Sequence, residues 1–572
     1  MRIIKGKKRQ TKKKWSVEEL KQRRLERKFL TDIRTTFVNC GFEHIPTRNQ
    51  QVTIAGITSE FDSVFAYENI IVFVEDTTSN SAGIPDHLRK KCEFYTHLES
   101  HRPELFEFLF KTFSKFKSYM HSHSYAPEEL RFIYAYCSRQ DVEKQYKQRY
   151  GDICHFFDYA YLQYFLTLSK TIHRSARFEL FKFLKLELKD IGCKRSADNL
   201  STYHGLLLPF PTSGFPTGHR IVSFLADPNM LLEQAYVLRT DGWRGDTYLY
   251  QRLLIKSKIK DMRSYLANEK RVYINNIIAT LPPETVLKDE TGQSIKTSEI
   301  DIKPVSIQMP KKFNTIGIID GQHRVYSYHE GDDNLDKKIK TYREKQHLLV
   351  TGIIYPPDYP ALKKQKFEAQ LFLEINDKQK PVKGDLKQAI ERIINPYSAI
   401  AVSKAVIAGL ASTGPLHGLL EVHFFDVGKI KTTSIVSYGL KHIVALDGEH
   451  SLFKTWRRPN KANIKSDRVA LDEYVSYCVT EINMFISGFK TALTNDIWST
   501  DQKVSRALTI TTINGLIYCI RKLIETKQLG NFEYYKAAFK NLKIDFKPTK
   551  FTYKSSHWKD LGDKIFSECF GS

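Results

Sequence analysis

Asp320-Gly321-Gln322-His323-Arg324 brings together an acid, a glycine, an imidazole and a guanidinium directly after the apolar run Thr315-Ile316-Gly317-Ile318-Ile319. The pattern predicts a strand that delivers these groups to the first turn of a helix. Such a turn suits a phosphate, because a helix N-terminus offers unpaired N–H groups and positive potential, and an arginine fork can pair with two phosphate oxygens. Gly321 would let the backbone approach the guest. His323 would serve as a general base or as a phosphate hydrogen-bond donor. The plainer alternative is a strand-turn-helix in which Asp320 is an N-cap.

A second constellation lies near the N-terminus. Glu60-Phe61-Asp62 reads as part of one short strand, and thirteen residues after Asp62 comes Glu75, at the polar end of Ile70-Ile71-Val72-Phe73-Val74. Carboxylates brought together at the ends of adjacent hairpin strands are hard oxygen donors for Mg2+ or Mn2+. A metal held there would activate water and polarise a phosphodiester.

Both constellations need a scaffold, and the chain is long enough to supply several. Its 572 residues point to three or four domains, and 41% hydrophobic with 12% aromatic residues fits a globular chain with sizeable cores. No apolar run approaches the roughly 20 residues of a membrane helix, and no hydrophobic signal core follows the N-terminal charges, so a cytoplasmic location without membrane partners is expected. Eight scattered cysteines with no CxxC pair read as reduced thiols, against a zinc site. His121-Ser122-His123 lacks partners at metal-ligand spacing. No Walker A sequence or nucleophile elbow occurs.

The net charge of +24, from 88 Lys+Arg against 64 Asp+Glu, points to an acidic polymer, with DNA the first candidate. Thirteen of the basic residues fall between Arg2 and Lys28. Lys7, Lys8, Arg9, Lys12, Lys13 and Lys14 predict a disordered arm that lies along phosphates. A helix should begin at Ser16 and stop before Gly41, with Leu25, Phe29, Ile33 and Phe37 inward. Short strands at 52–55, 60–66 and 69–75, a helix at 86–98 and a strand at 130–137 follow. The apolar stretch 153–188 reads as a helical connector, and amphipathic helices dominate after Val427. Aromatic and basic residues interleaved at 111–119 and 174–185 read as core with a basic rim.

The central segment resembles the DGQHR-domain family, which includes DndB-like regulators of DNA phosphorothioation and is related to the ParB/sulfiredoxin fold. Lys270-Arg271-Val272-Tyr273-Ile274-Asn275-Asn276-Ile277 is similar to its entry strand. Leu371 to Val382 is similar to its helix-exit motif, with Asn376 at the polar end. Gln322 stands where the sulfiredoxin relative carries Cys, so the resemblance implies nucleotide or DNA handling rather than thiol chemistry. Asp320, Gly321, Gln322, His323, Arg324 and Asn376 would form the nucleotide or phosphate site. The earlier order of helix, strand, Glu-x-Asp, apolar strand, Glu and helix resembles the PD-(D/E)xK restriction-endonuclease-like fold. That resemblance makes Asp62 and Glu75 metal ligands and Glu26 a third. It asks for Lys two residues after Glu75, where this chain has Thr77, so Lys90 or Lys91 on the next helix would have to stand in.

The expected architecture is therefore an α/β and α+β multidomain protein. It comprises a basic arm (1–15), an endonuclease-like α/β domain (16–150), a helical connector (151–200), a ParB/sulfiredoxin-like α+β DGQHR domain (201–426) and a helical C-terminal region (427–572). The expected function is recognition, with metal-dependent cleavage, of DNA in a bacterial DNA-modification or antiphage defence system, under control of a nucleotide- or DNA-sensing DGQHR domain. Its partners would be DNA, an NTP, and further copies of the chain or other defence proteins. The alternative is a non-catalytic DNA-binding regulator or NTPase switch with a degenerate nuclease domain, which Thr77 favours.

Overall fold

Ser16 caps the first helix reciprocally: its hydroxyl accepts from Glu19 N, while the Glu19 carboxylate accepts from Ser16 N. The helix, α1 (Val17–Asn39), ends where Gly41 takes a φ of +95°. Phe29, Ile33 and Phe37 line its buried side, as their four-residue spacing predicts. The computed structural model describes residues 16–571 apart from 80–81, 193–199, 238, 240–242, 244–252, 332, 378–383, 424 and 460. The arm residues Lys7, Lys8, Arg9, Lys12, Lys13 and Lys14 lie outside the described residues, as does the end of the helix-exit motif. The chain is a mixed α/β multidomain protein that divides into two compact units, one of residues 1–236 and 254–356, the other of 237–253 and 357–572.

The first unit holds two sheets. One is built from β1 (Glu43–Ile45), β4 (Ser63–Tyr67), β5 (Ile70–Thr77), β6 (Arg131–Ser138) and β7 (His155–Asp158), in the order β1-β4-β5-β6-β7. Its first three strands are antiparallel and its last two run parallel to β5. A separate hairpin, β2 (Gln51–Ile54) and β3 (Ile57–Glu60), sits between β1 and β4 in the chain. Glu60 and Asp62 therefore do not share a strand. β3 ends at Glu60, and Asp62 lies in the bend that opens β4. The hairpin's register uses up Glu60 opposite Gln51.

The runs Ile70–Val74 and Ile133–Cys137 are buried on both faces, which fits parallel strands covered by helices on either side. On one side Phe37 of α1 stacks on Phe65 at 4.5 Å. On the other, α2 (Ile84–Ser100) contributes Tyr95, stacked at 4.5 Å on Tyr134, above α3 (Arg102–Thr112) and α4 (Ser114–His123). Phe116 and Tyr119 are core, as their spacing predicts.

The 151–200 stretch is more than a connector. β7 completes the first sheet, and α5 (Tyr159–Ile172) packs along α1. The next helix, α6 (Arg177–Phe183), reaches segments that flank the second sheet: Arg177 Nη2 donates to both Glu330 carboxylate oxygens at 2.8 and 2.9 Å, and Asn314 donates to Phe178 O. The His-Phe-Phe-Asp sequence of β7 misled a purely helical expectation because four residues, half-buried at 155–156 and buried at 157–158, are too few to show a strand's alternation.

The second sheet has the order β10-β14-β11-β15-β9-β8-β13-β12, using β8 (Leu200–Pro209), β9 (Arg220–Ala226), β10 (Ala235–Tyr236), β11 (Ile277–Thr280), β12 (Val286–Lys288), β13 (Lys303–Pro310), β14 (Ile316–Asp320) and β15 (Leu348–Ile354). The expected entry strand at 270–277 begins only at its last residue. α7 (Lys256–Glu269) precedes it, and α8 (Gln322–Tyr326) and α9 (Asp336–Lys345) separate β14 from β15.

In the second unit, α10 (Ala361–Asp377), α11 (Gly384–Ile394), α12 (Ala399–Ser412), α13 (Arg468–Thr491), α14 (Ile510–Glu525) and α15 (Trp558–Cys569) surround a core containing Val406, Tyr474, Phe485, Leu523 and Ile565. The 201–426 span of the sequence expectation is thus divided between the units at Pro356. Helices α14 and α15 approach so closely that a Cβ on Gly562 would stand 2.7 Å from Gly515 O, a fit that the two glycines permit. Among the described residues no single helix is long and apolar enough to cross a membrane.

Two buried arginines fasten the loop after α8. Arg263 of α7 is 2% exposed and donates to His329 O at 2.6 Å and to Asp333 at 2.9 Å, while Arg343 of α9 donates to Tyr328 O at 2.7 Å and pairs with Asp336. Removing one would strand buried carbonyls. Arg263→Ala is therefore expected to destabilise the first unit by about 3 kcal/mol. Thermal unfolding indistinguishable from wild type would show that these bonds are replaced by water.

Candidate active site

The pairing of Ser63 with Val74 on neighbouring antiparallel strands sets Asp62 opposite Glu75. Asp62 Oδ2 accepts a hydrogen bond from Asp76 N at 2.9 Å, which pins the bend to the end of β5. Glu75 is 3% exposed. A carboxylate so buried needs compensation, and α2 supplies it from two successive turns. His87 Nε2 lies 3.2 Å from Glu75 Oε1, and Lys91 Nζ lies 2.8 Å from Glu75 Oε2. Lys91 also donates to Glu60 O at 2.9 Å, and the other His87 nitrogen meets Tyr136 Oη at 2.9 Å. The lysine is itself buried, so its aliphatic stem threads the core and its ammonium is fixed at the carboxylate.

Asp62 and Asp76 share a cation of their own. Arg48, in the loop after β1, places Nη2 3.0 Å from Asp62 Oδ1 and 2.8 Å from Asp76 Oδ2. Burial, then the charge of Asp62, raises the Asp76 pKa from 3.8 to about 7 despite Arg48. Burial is also the largest cause of the raised Glu75 pKa, opposed by the His87 and Lys91 contacts. Three acids and three basic side chains thus gather at the end of one sheet.

The position two residues beyond Glu75 is filled by Thr77, which is buried and whose hydroxyl accepts from Ser79 N. Lys90 points elsewhere: it is exposed and pairs with Asp86 one turn back on α2. The adjacent Lys91 is the one that reaches Glu75. The helical rotation between neighbours, about 100°, turns one lysine outward and the other inward. Glu26 accepts from Gln22 on α1, and Gln22 also reaches Thr78 just beyond β5. Glu26 therefore approaches the same end of the sheet, yet among the described residues no three Asp, Glu, His or Cys side chains form a ready metal-ligand group. In donor chemistry the site suits a hard divalent cation, with the Arg48 guanidinium occupying the place of positive charge between Asp62 and Asp76. Sequence spacing missed Arg48, Asp76 and His87. Only Asp76, adjacent to Glu75, carried a local signal.

The turn at 320–324 is built differently. Gly321 has a φ of +97°, and a Cβ there would stand 2.5 Å from Ile277 Cδ1. Arg324 folds back, Nη2 donating to Asp320 Oδ2 at 2.8 Å and to Asn276 O at 2.7 Å. Gln322 is buried, and His323 Nε2 lies 3.4 Å from Ile255 N. The helix expected to present its N-terminus to a phosphate, α8, spans only five residues. Both bonds come from Nη2 and close the turn, while Nε is buried with no hydrogen-bond partner among the described residues. Asn376 belongs to the second unit, where its side chain donates to Phe372 O within α10. No family model, curated protein or solved structure matches this chain.

The raised Asp76 pKa has a stability consequence with a definite sign. Between about pH 4 and 7 the folded chain binds more protons at this residue than the unfolded chain does, so its contribution to stability falls as pH rises through that window. Asp76→Asn should lessen that fall, making the variant more stable relative to wild type at pH 8 than at pH 5. Parallel melting-temperature profiles from pH 5 to 8 would refute the assignment.

Proposed function

We propose that the first sheet houses a metal-dependent phosphodiester-cleaving centre that acts on DNA, belonging to a PD-(D/E)xK-like domain. The observation that carries this reading is Lys91 Nζ at 2.8 Å from a Glu75 set opposite Asp62. It supplies, from the following helix, the ammonium that Thr77 cannot. Support also comes from the connectivity: a leading helix, three antiparallel strands, a helical crossover and a strand parallel to the third.

When bound, Mg2+ or Mn2+ would polarise the phosphodiester and lower the pKa of an attacking water. Asp62 and Glu75 would hold it, with Asp76 beside them. Lys91 would orient the nucleophilic water and offset negative charge developing on phosphorus oxygens. His87, tied to Tyr136, would fix the orientation of the Glu75 carboxylate. The net charge of +24 would draw the polyanion to the site. The DGQHR-like domain would sense a nucleotide or a DNA feature, in a bacterial modification-linked or antiphage setting that the family resemblance alone suggests.

A second reading, a DNA-binding regulator with a silent nuclease site, is favoured by Arg48, which already pairs with both aspartates. Incubating supercoiled plasmid with Mg2+ or Mn2+, with and without ATP, GTP or CTP, separates the two. Cutting is expected to fall at least about a hundredfold in Lys91→Ala, Asp62→Ala and Glu75→Ala, with DNA affinity changed only a few-fold, because these groups serve the reaction rather than backbone binding. Lys90→Ala should cut like wild type. Absence of metal-dependent cutting in the wild type, or equal cutting by Lys91→Ala, would hand the case to the regulator.

A further inference from the structure

The second unit contains a cavity that the cleavage reading does not use. It has a volume of about 390 Å³ and lies where α14 begins, between that helix and the segment 548–555. Arg506 and Lys554 line it, and among its lining residues there is no Asp or Glu. Among the described residues the Arg506 side chain engages only Gln502, through Nη1 at 2.7 Å, and the Lys554 ammonium makes no hydrogen bond or ion pair. Two cations therefore face a space without a counter-charge.

The backbone reinforces them. α14 is sixteen residues long, and its N-cap Thr509 accepts from Thr512 N, leaving Ile510 N and Thr511 N without acceptors among the described residues. An independent sign of a guest comes from Thr511. It is 9% exposed, lines the cavity, and its hydroxyl has no hydrogen-bond partner among the described residues, although the next residue's hydroxyl donates to Arg506 O at 2.7 Å. The hydroxyl of this otherwise buried residue thus opens onto the cavity with its bonding capacity free for a guest.

The opposite wall is aromatic. Phe551 stands between Tyr553 and the buried Phe546, 5.5 Å from each ring. Arg506 N donates to Phe546 O at 2.8 Å, so the cationic and aromatic walls are tied together. We propose that this cavity binds a nucleoside 5′-phosphate, with the phosphate on Arg506, Lys554 and the start of α14, and the base against Phe551 and Tyr553. The helix N-terminus and the two cations match a phosphate, and the flat apolar wall matches a base. The volume lies within the range of small-ligand pockets, roughly 300–1,000 Å³.

Calorimetry on the full-length protein without divalent metal tests this, using adenosine 5′-monophosphate, adenosine, inorganic phosphate, and an oligonucleotide with or without a 5′-phosphate. Adenosine 5′-monophosphate should bind, with adenosine and phosphate each at least about tenfold weaker. Arg506→Ala and Lys554→Ala should each weaken binding by roughly tenfold to a hundredfold, the range of a charge-assisted hydrogen bond. Thr511→Val, which keeps the shape and removes the hydroxyl, should lower affinity several-fold with unchanged thermal unfolding. Failure of the wild type to bind the mononucleotide, or binding unaffected in all three variants, would overturn the proposal. So would binding confined to the 5′-phosphorylated oligonucleotide, which would assign the seat to a nucleic-acid end.

Discussion

Burying Glu75 is the constraint on which the first sheet's chemistry depends. Its strand is apolar from Ile70 to Val74, and continuing that burial by one residue carries a carboxylate out of water. The cost of leaving such a charge alone is several kcal/mol, so the helix that covers the strand must bring hydrogen-bond donors and positive charge to it. α2 does so with His87 and Lys91, four residues apart and hence on one face. The placement of α2 and the protonation of the site are thus one problem with one solution.

The same accounting extends to the bend before β4. Asp62 would be repelled by Glu75 and Asp76 were it not held by Asp76 N and by Arg48. That balance is incomplete, since Asp76 still holds its proton to about pH 7. Burial and mutual repulsion of the acids, with only a half-exposed guanidinium between Asp62 and Asp76, are what a bound cation would relieve under the cleavage reading. Arg48 is 38% exposed at its side chain, which leaves it free to move toward solvent, while Lys91 at 10% is locked. Under the cleavage reading, Arg48 is the group that metal would displace and Lys91 the one that stays.

Much of this was legible locally. The capping box at Ser16, the four-residue stripe of α1 and the apolar runs of β5 and β6 each follow from nearest-neighbour chemistry, and Asp62 and Glu75 could be picked out as strand-end carboxylates. What could not be read depends on distant pairing. Choosing between Lys90 and Lys91 requires the helix phase against the sheet, finding Arg48 requires the loop after β1 to fold over the bend, and β7 hides before an apolar helix because four residues are too few to show a strand's alternation. The turn at 320–324 illustrates the opposite failure, where a suggestive string was legible but its partners were not.

That turn also explains why weight falls on the first sheet. A free arginine at a helix start would attract phosphate, but Arg324 already answers Asp320 and Asn276 O, and the helix behind it is too short to build much of a dipole. For a phosphate to take the guanidinium, Asp320 would have to give it up, leaving a carboxylate beside an incoming anion. The net gain is then the difference between two similar ion pairs, less the repulsion, and it is small. At Glu75 the argument runs the other way: burial and the neighbouring carboxylates raise the pKa of both Glu75 and Asp76, so an added cation would relieve both causes at the cost of releasing only Arg48, which has solvent to turn to. These electrostatics support the proposed cleavage reading of the first sheet over nucleotide sensing by Arg324.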